Sequence, residues 1–163
     1  MDSGRELFEH ELRDIYDAEH KLVNALETMA KKVSNEDLST SFKEHREVTR
    51  KQIERLDKVF GTIDRAPRRE ACDAINGLIS EFSGFVKDES PSDEVLNVFA
   101  TTAALKVEHY EIEAYKSLIK LAQNEGLDEA IGLLQENLAE EETTARELDG
   151  MSDLLGKELA AAG

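Results

Sequence analysis

In the run ALKVEHYEIEA, Ala104–Ala114, two acids stand where a helical chain ordinarily places leucine. The seam through this region reads Thr101, Ala104, Glu108, Glu111, Tyr115, Leu118 and Ala122, a 3,4 spacing that keeps these residues on one helix face. Glu108 and Glu111, at i and i+3, therefore point into the same small volume. Two like charges in a low-dielectric core repel and give up their protons reluctantly unless a cation or hydrogen-bond donors offset them. A chain that carries this pair must fold so that other elements bring compensating groups to the same level.

The remaining composition says what those elements are. With only nine glycines and two prolines in 163 residues, and a wealth of Ala, Leu, Glu and Lys, the chain is predicted to be all-α with one sizeable core. Thirty-six acidic against 20 basic residues give a formal charge of -16, which disfavours nucleic acid and anionic membranes as partners and suits cation binding or high salt. No apolar run is long enough for a bilayer, and no signal-peptide pattern opens the chain. Cys72 stands alone, so no intrachain disulfide forms; it reads as a small buried hydrophobe, and the expected location is cytoplasmic.

In chain order, Phe8, Leu12, Ile15, Leu22, Leu26, Met29 and Val33 form a seam interrupted only by Glu19, predicting a helix over about 5–33. Ser34 or Asn35 can cap a second helix over about 35–60, whose seam is Leu38, Phe42, His45, Thr49, Gln52, Leu56 and Val59. The short link makes these two antiparallel. Gly61 begins a break that contains Pro67, and a crossover helix over about 70–87 follows with Ile75, Leu78, Ile79, Phe82, Phe85 and Val86 on its apolar face. Ser92 caps a third long helix, about 93–124, closed by Gly126 in the left-handed position. The fourth covers about 127–149 with the seam Ile131, Leu134, Leu138, Glu141, Ala145 and Leu148; Gly150 is expected to bend or end it, with a further helical piece over 151–162. The long connection over 61–92 can cross the length of a bundle, so the second and third long helices run parallel. The expected architecture is the up-down-down-up four-helix bundle of ferritin-like folds, with an extra crossover helix.

Midpoints of antiparallel helices of similar length meet at one level. Glu19, His45, Glu108, Glu111 and Glu141 should therefore converge in a single core layer. Burying several acids without a cation costs several kcal/mol for each, on the order of the penalty for any unpaired buried ion. Carboxylate oxygen with imidazole suits iron, manganese or zinc, and two metal ions fit this ligand count better than one.

The runs ELRDIYDAEHKL, FKEHREVTRKQIERLDKVF, KVEHYEIEAY and ENLAEEE, with ACDAINGLI in the crossover, resemble the YciE/YciF (DUF892) family over nearly the whole chain. The resemblance implies a ferritin-like bundle related in structure to rubrerythrin, a homodimer, and a stress-linked, ferroxidase-like role. By position it implies Glu19 as first-helix ligand, Glu108 and Glu111 as the Glu-x-x-Glu of the third helix, and Glu141 as the bridging acid of the fourth. The general di-iron pattern puts Glu-x-x-His on two helices. Here Val48 follows His45, and Thr144 follows Glu141, where a histidine would stand, so the layer is poor in nitrogen.

Other polar residues have plainer readings. His10 and His20 lie off the seams, His109 points away from the layer, and Tyr16, Tyr110 and Tyr115 read as core. Thr49 and Gln52 are placed to orient His45. Ile53, Phe60, Phe82 and Phe85 look like an apolar surplus that a dimer would bury. Three functions suit such a chain: a di-iron oxidoreductase of ferroxidase or peroxidase type using oxygen or peroxide, a non-catalytic metal-binding stress protein, and a helical module whose polar layer only specifies bundle register.

Overall fold

In the computed structural model, residues 1–162 are described, and they form five α-helices with no strand among them. These are α1 (Gly4–Lys32), α2 (Glu36–Thr62), α3 (Asp73–Glu89), α4 (Asp93–Asn124) and α5 (Asp128–Ala162). Each start follows from local chemistry. Ser3, Asn35 and Ser92 lend side-chain oxygens to backbone N–H groups of the first turns of α1, α2 and α4, satisfying donors that have no intrahelical partner. Cys72 does the same for α3 with its sulfur, accepting from the Ile75 N–H at 3.4 Å.

The long helices pack as two antiparallel pairs. Phe8 and Leu12 of α1 share a core cluster with Leu56, Val59 and Phe60 from the far end of α2, while Leu26 and Met29 meet Leu38 and Phe42 at its start. Tyr115 and Leu118 of α4 join the first cluster, and Ala100 and Ala104 join the second. Hence α4 runs parallel to α2. A hydrogen-bond clamp fixes the same relation: the Asn97 side-chain oxygen, in the first turns of α4, accepts from the backbone N–H groups of Ser34 at 3.0 Å and Asn35 at 3.3 Å. The α3 crossover links the ends, and Asp17 anchors its approach by accepting from Arg69 and from the Cys72 N–H, at 2.8 and 2.9 Å. The up-down-down-up bundle is thus observed.

Several boundaries differ from the sequence reading. Gly61 does not break α2, which runs on to Thr62; the turn falls at Asp64, in the left-handed region at φ 54°. The crossover helix begins at Asp73 rather than near 70 and ends at Glu89, and only Ile75 and Phe82 of its expected apolar face are buried. Gly150 does not end α5, which continues as one helix to Ala162 because Leu148 and Leu155 bury on either side of it. An interior glycine weakens a helix by only about 1 kcal/mol relative to alanine, less than such packing returns. Gly126 does adopt the left-handed conformation, at φ 67°, between α4 and α5.

The apolar surplus expected at a dimer face is largely internal. Phe60 and Phe82 are buried within the chain, Ile53 packs on the core, and Phe85 stacks on Phe99 with ring centroids 3.7 Å apart. The exposed large apolar residues are instead Met1, Leu7, Val95 and Leu154, so Ile53, Phe60, Phe82 and Phe85 give no argument for a subunit interface.

Candidate metal centre

Every one of Glu19, His45, Glu108, Glu111 and Glu141 is buried, with none more than 5% exposed. The 3,4 seams explain this: each residue occupies a core-facing position flanked along its own helix by buried residues. Ile15 and Leu22 flank Glu19, Phe42 and Thr49 flank His45, Ala104 and Tyr115 flank the α4 pair, and Asn137 and Ala145 flank Glu141. The helices thus force carboxylates into a place where solvent cannot serve them.

Four of the five converge tightly. One ligand atom from each of His45, Glu108, Glu111 and Glu141 lies within 4.8 Å of all the others. The His45 ring stands between two acids, with Nδ1 3.4 Å from Glu108 Oε1 and Nε2 3.6 Å from Glu141 Oε2. Glu19 lies outside that tight group but in the same layer, on the side where Tyr115 donates its hydroxyl proton to Glu19 Oε1. The sequence reading therefore places all five at one level, and the structure divides them into a group of four and a neighbour.

Electrostatics make the layer unstable as a set of bare charges. Burial, reinforced by the charge of Glu141, raises the Glu19 and Glu108 carboxyls well above their usual range. Burial also raises Glu111, and here the charges of Glu19, Glu141 and Glu108 all add to it. Tyr115 is raised by burial and by the facing acids, so its phenol remains a donor.

Supporting contacts reach some of these groups and leave others bare. Gln52 Nε2 donates to Glu141 Oε1 at 2.5 Å. Asn137 Nδ2 donates to the Tyr115 hydroxyl at 2.9 Å and to the Gln52 carbonyl at 3.3 Å. Arg55, bridging α2 and α5, donates to Asn137 Oδ1 at 3.0 Å and grips Glu140 through two hydrogen bonds of 2.7 Å. By contrast both oxygens of Glu108 and of Glu111, one oxygen each of Glu19 and Glu141, and both ring nitrogens of His45 are buried with no hydrogen-bond partner. Buried polar atoms are rarely left so. Two donors about 2.1 Å from one ion lie about 3.0–3.5 Å from each other, the order of the His45–carboxylate separations. The donor set, oxygen with imidazole, is one that iron, manganese or zinc accepts. The group could hold a metal ion.

Two expectations about the supporting residues change. Gln52 holds Glu141, not His45, and Thr49 spends its hydroxyl on the His45 backbone carbonyl at 3.0 Å. Asn137 was not singled out by sequence, because the seam of α5 is one residue out of phase there: Ala130 and Asn137 are buried, while Ile131 and Leu138 are half-exposed. Its position four residues before Glu141 was the available signal. His10, His20 and His109 stay outside the cluster; His109 is exposed, and His20 packs edge-on to Tyr16 with centroids 4.6 Å apart. No helix among the described residues is long and apolar enough to cross a membrane.

An antiparallel-paired bundle with one crossover and a buried carboxylate–imidazole layer defines a ferritin-like helical protein. The chain belongs to the family described as "Domain of unknown function (DUF892)", which it matches over residues 3–161. It is 40% identical over 145 residues to Protein YciF of Escherichia coli K12, covering 88% of this chain and 87% of that one. Its fold matches the crystal structure of the E. coli stress protein YciF with a TM-score of 0.91 at 37% identity, over 96% of this chain and 99% of that one. YcfI from Rhodopseudomonas palustris, for which a structural role is suggested, matches with a TM-score of 0.88 at 39% identity, over 91% and 94% of the two chains. A protein from Xanthomonas campestris shares the fold alone, with a TM-score of 0.76 at 18% identity over 98% and 97%.

Proposed function

We propose that this protein binds two divalent metal ions, iron above manganese or zinc, in the Glu19/His45/Glu108/Glu111/Glu141 layer, and that it oxidises ferrous iron with oxygen or peroxide. The observation that carries the reading is the set of buried carboxylate oxygens and imidazole nitrogens that no protein group satisfies. A polar layer that only specified bundle register would be expected to satisfy its own hydrogen bonds, as the Tyr115 hydroxyl and the Asn137 amide beside it do.

The roles follow from position. Glu108 and Glu141, on helices that pack against each other and on either side of His45, would be the acids shared between the two ions. His45 would hold one ion directly, and Glu111, one turn along α4 from Glu108, would add a further carboxylate to the same group. Glu19, held by Tyr115, would supply a carboxylate to the second ion. Carboxylates favour the more highly charged ferric state, and the shortage of nitrogen leaves room for the oxidant. With hydrogen peroxide the reaction balances simply: two ferrous ions give one electron each, the O–O bond breaks, two protons are taken up, and two ferric ions and two waters result. The description of E. coli YciF as a stress protein accords with such a role. A metal-holding protein without turnover is the second reading, and the same experiment separates them.

Stopped-flow mixing with ferrous iron and oxygen or peroxide should show oxidation faster than in buffer. A Glu108→Ala/Glu141→Ala double variant should lose this acceleration entirely, because a bridged pair needs both acids. His45→Ala should weaken one ion's binding more than the other's. If wild type oxidises iron no faster than the double variant, turnover is ruled out and passive binding remains.

A further inference from the structure

A cavity of about 430 Å³ opens between α2 and α5 and ends on His45. His45 is only 5% exposed, and both of its ring nitrogens lack a hydrogen-bond partner, so the cavity floor is an unsatisfied, buried imidazole in the layer described above. The walls include Val48 and Thr144. These are the two positions, three residues beyond His45 and Glu141, where the general Glu-x-x-His pattern would carry a ring. Smaller side chains at both let the cavity run in as far as His45, the buried edge of the layer.

The mouth carries Glu44 from α2 and Glu147 from α5, both exposed. Neither takes part in any ion pair or hydrogen bond among the described residues, in contrast to Glu140 on the same wall, whose charge Arg55 occupies. Unpaired charge of one sign at the rim of a low-dielectric cleft concentrates counter-ions and raises their rate of arrival.

The geometry points to this cavity as the passage by which divalent cations reach the metal centre, with Glu44 and Glu147 as the outer acids that draw them in. The inference rests on the metal-centre reading. A cation attracted to the Glu44/Glu147 rim moves inward past Val48 and Thr144 and meets His45 as its first buried donor.

Cobalt(II), added to the metal-stripped protein and followed by its visible absorbance in a stopped-flow instrument, is the probe. The Glu44→Gln/Glu147→Gln variant should load on the order of tenfold more slowly than wild type at low salt, the difference shrinking as salt screens the rim. The final amount bound should be unchanged. A control of equal charge change on exposed acids elsewhere, Glu89→Gln/Glu129→Gln, should load like wild type. Loading of the mouth variant at the control's rate would overturn the passage while leaving the metal centre standing. A lower final amount would make these acids ligands, and would also overturn it. If wild type takes up no cobalt, the metal-centre reading itself fails, and the passage with it.

Discussion

Glu111→Gln should raise the thermal stability of the metal-free protein and lower that of the loaded one. Glu111 is fully buried, both of its oxygens lack partners, and burial together with three neighbouring acids opposes its ionisation. A near-isosteric neutral amide removes that repulsion without opening a cavity. Relief of uncompensated buried charge is worth about 1–4 kcal/mol, and each kcal/mol shifts the midpoint by about 2–4 °C in a chain of this size. In the loaded protein the same change removes a ligand. A metal held at a hundredfold its Kd contributes about 2.7 kcal/mol, and weakened binding forfeits part of that. Calorimetry on both forms of both proteins checks the inversion. A shift of the same sign with and without metal would mean that Glu111 faces no ion.

Removing the metal should also change how stability depends on pH. Burial raises the carboxyls of Glu19, Glu108 and Glu111 in the folded state well above the ordinary glutamate range. A raised acid binds more protons folded than unfolded. Its contribution is therefore fully present below the unfolded pKa and is lost as pH climbs through the folded one. For the metal-free protein that places the loss from about pH 4.5 upward, on the alkaline side, where ordinary paired carboxylates gain. Glu9 is of that ordinary kind: despite partial burial, Arg65 and Arg13 hold it low, so its contribution is lost as pH falls. The contrast between wild type and Glu111→Gln isolates the layer from such background. Their difference in metal-free stability should widen steadily from pH 4.5 to neutrality. Metal should reverse the trend, since its ligands must shed protons to bind and its stabilisation grows with pH. Denaturant titrations across pH 4.5–8 with and without metal measure both slopes. A wild-type to variant difference that is flat in pH would remove the electrostatic account of the layer.

Much of this was legible in the sequence, for a physical reason. A seam tolerates few polar residues, so Glu19, His45, Glu108, Glu111 and Glu141 stood out as exceptions, and antiparallel packing put their midpoints at one level. The seams of α1, α2 and α4 are buried at each predicted position. In α5 the apolar Ile131 and Leu138 suggested a phase that the bundle does not use. Asn137 takes the inward place because the Tyr115 hydroxyl and the Gln52 carbonyl need a donor there, a requirement set by two other helices. Gln52 illustrates the same limit: its helix shows only that it faces inward, and the partner it finds, Glu141, comes from a strand of sequence 89 residues away. Glycines misled for a different cause. Gly61 and Gly150 carry a local helix penalty, but Phe60, Leu148 and Leu155 are buried beside them and tertiary packing decides. The cavity onto His45 depends on what Val48 and Thr144 fail to fill, and no periodicity records that.

The central claim is that the carboxylate–imidazole layer exists to hold metal. Anomalous diffraction from crystals grown anaerobically with saturating ferrous iron or manganese, collected at that metal's absorption edge, tests it most directly. The account predicts one peak bounded by His45, Glu108, Glu111 and Glu141, and a second on the Glu19 side of the layer. A layer without anomalous signal, its carboxyl groups hydrogen-bonded to one another while metal sits only on the protein surface, would contradict it.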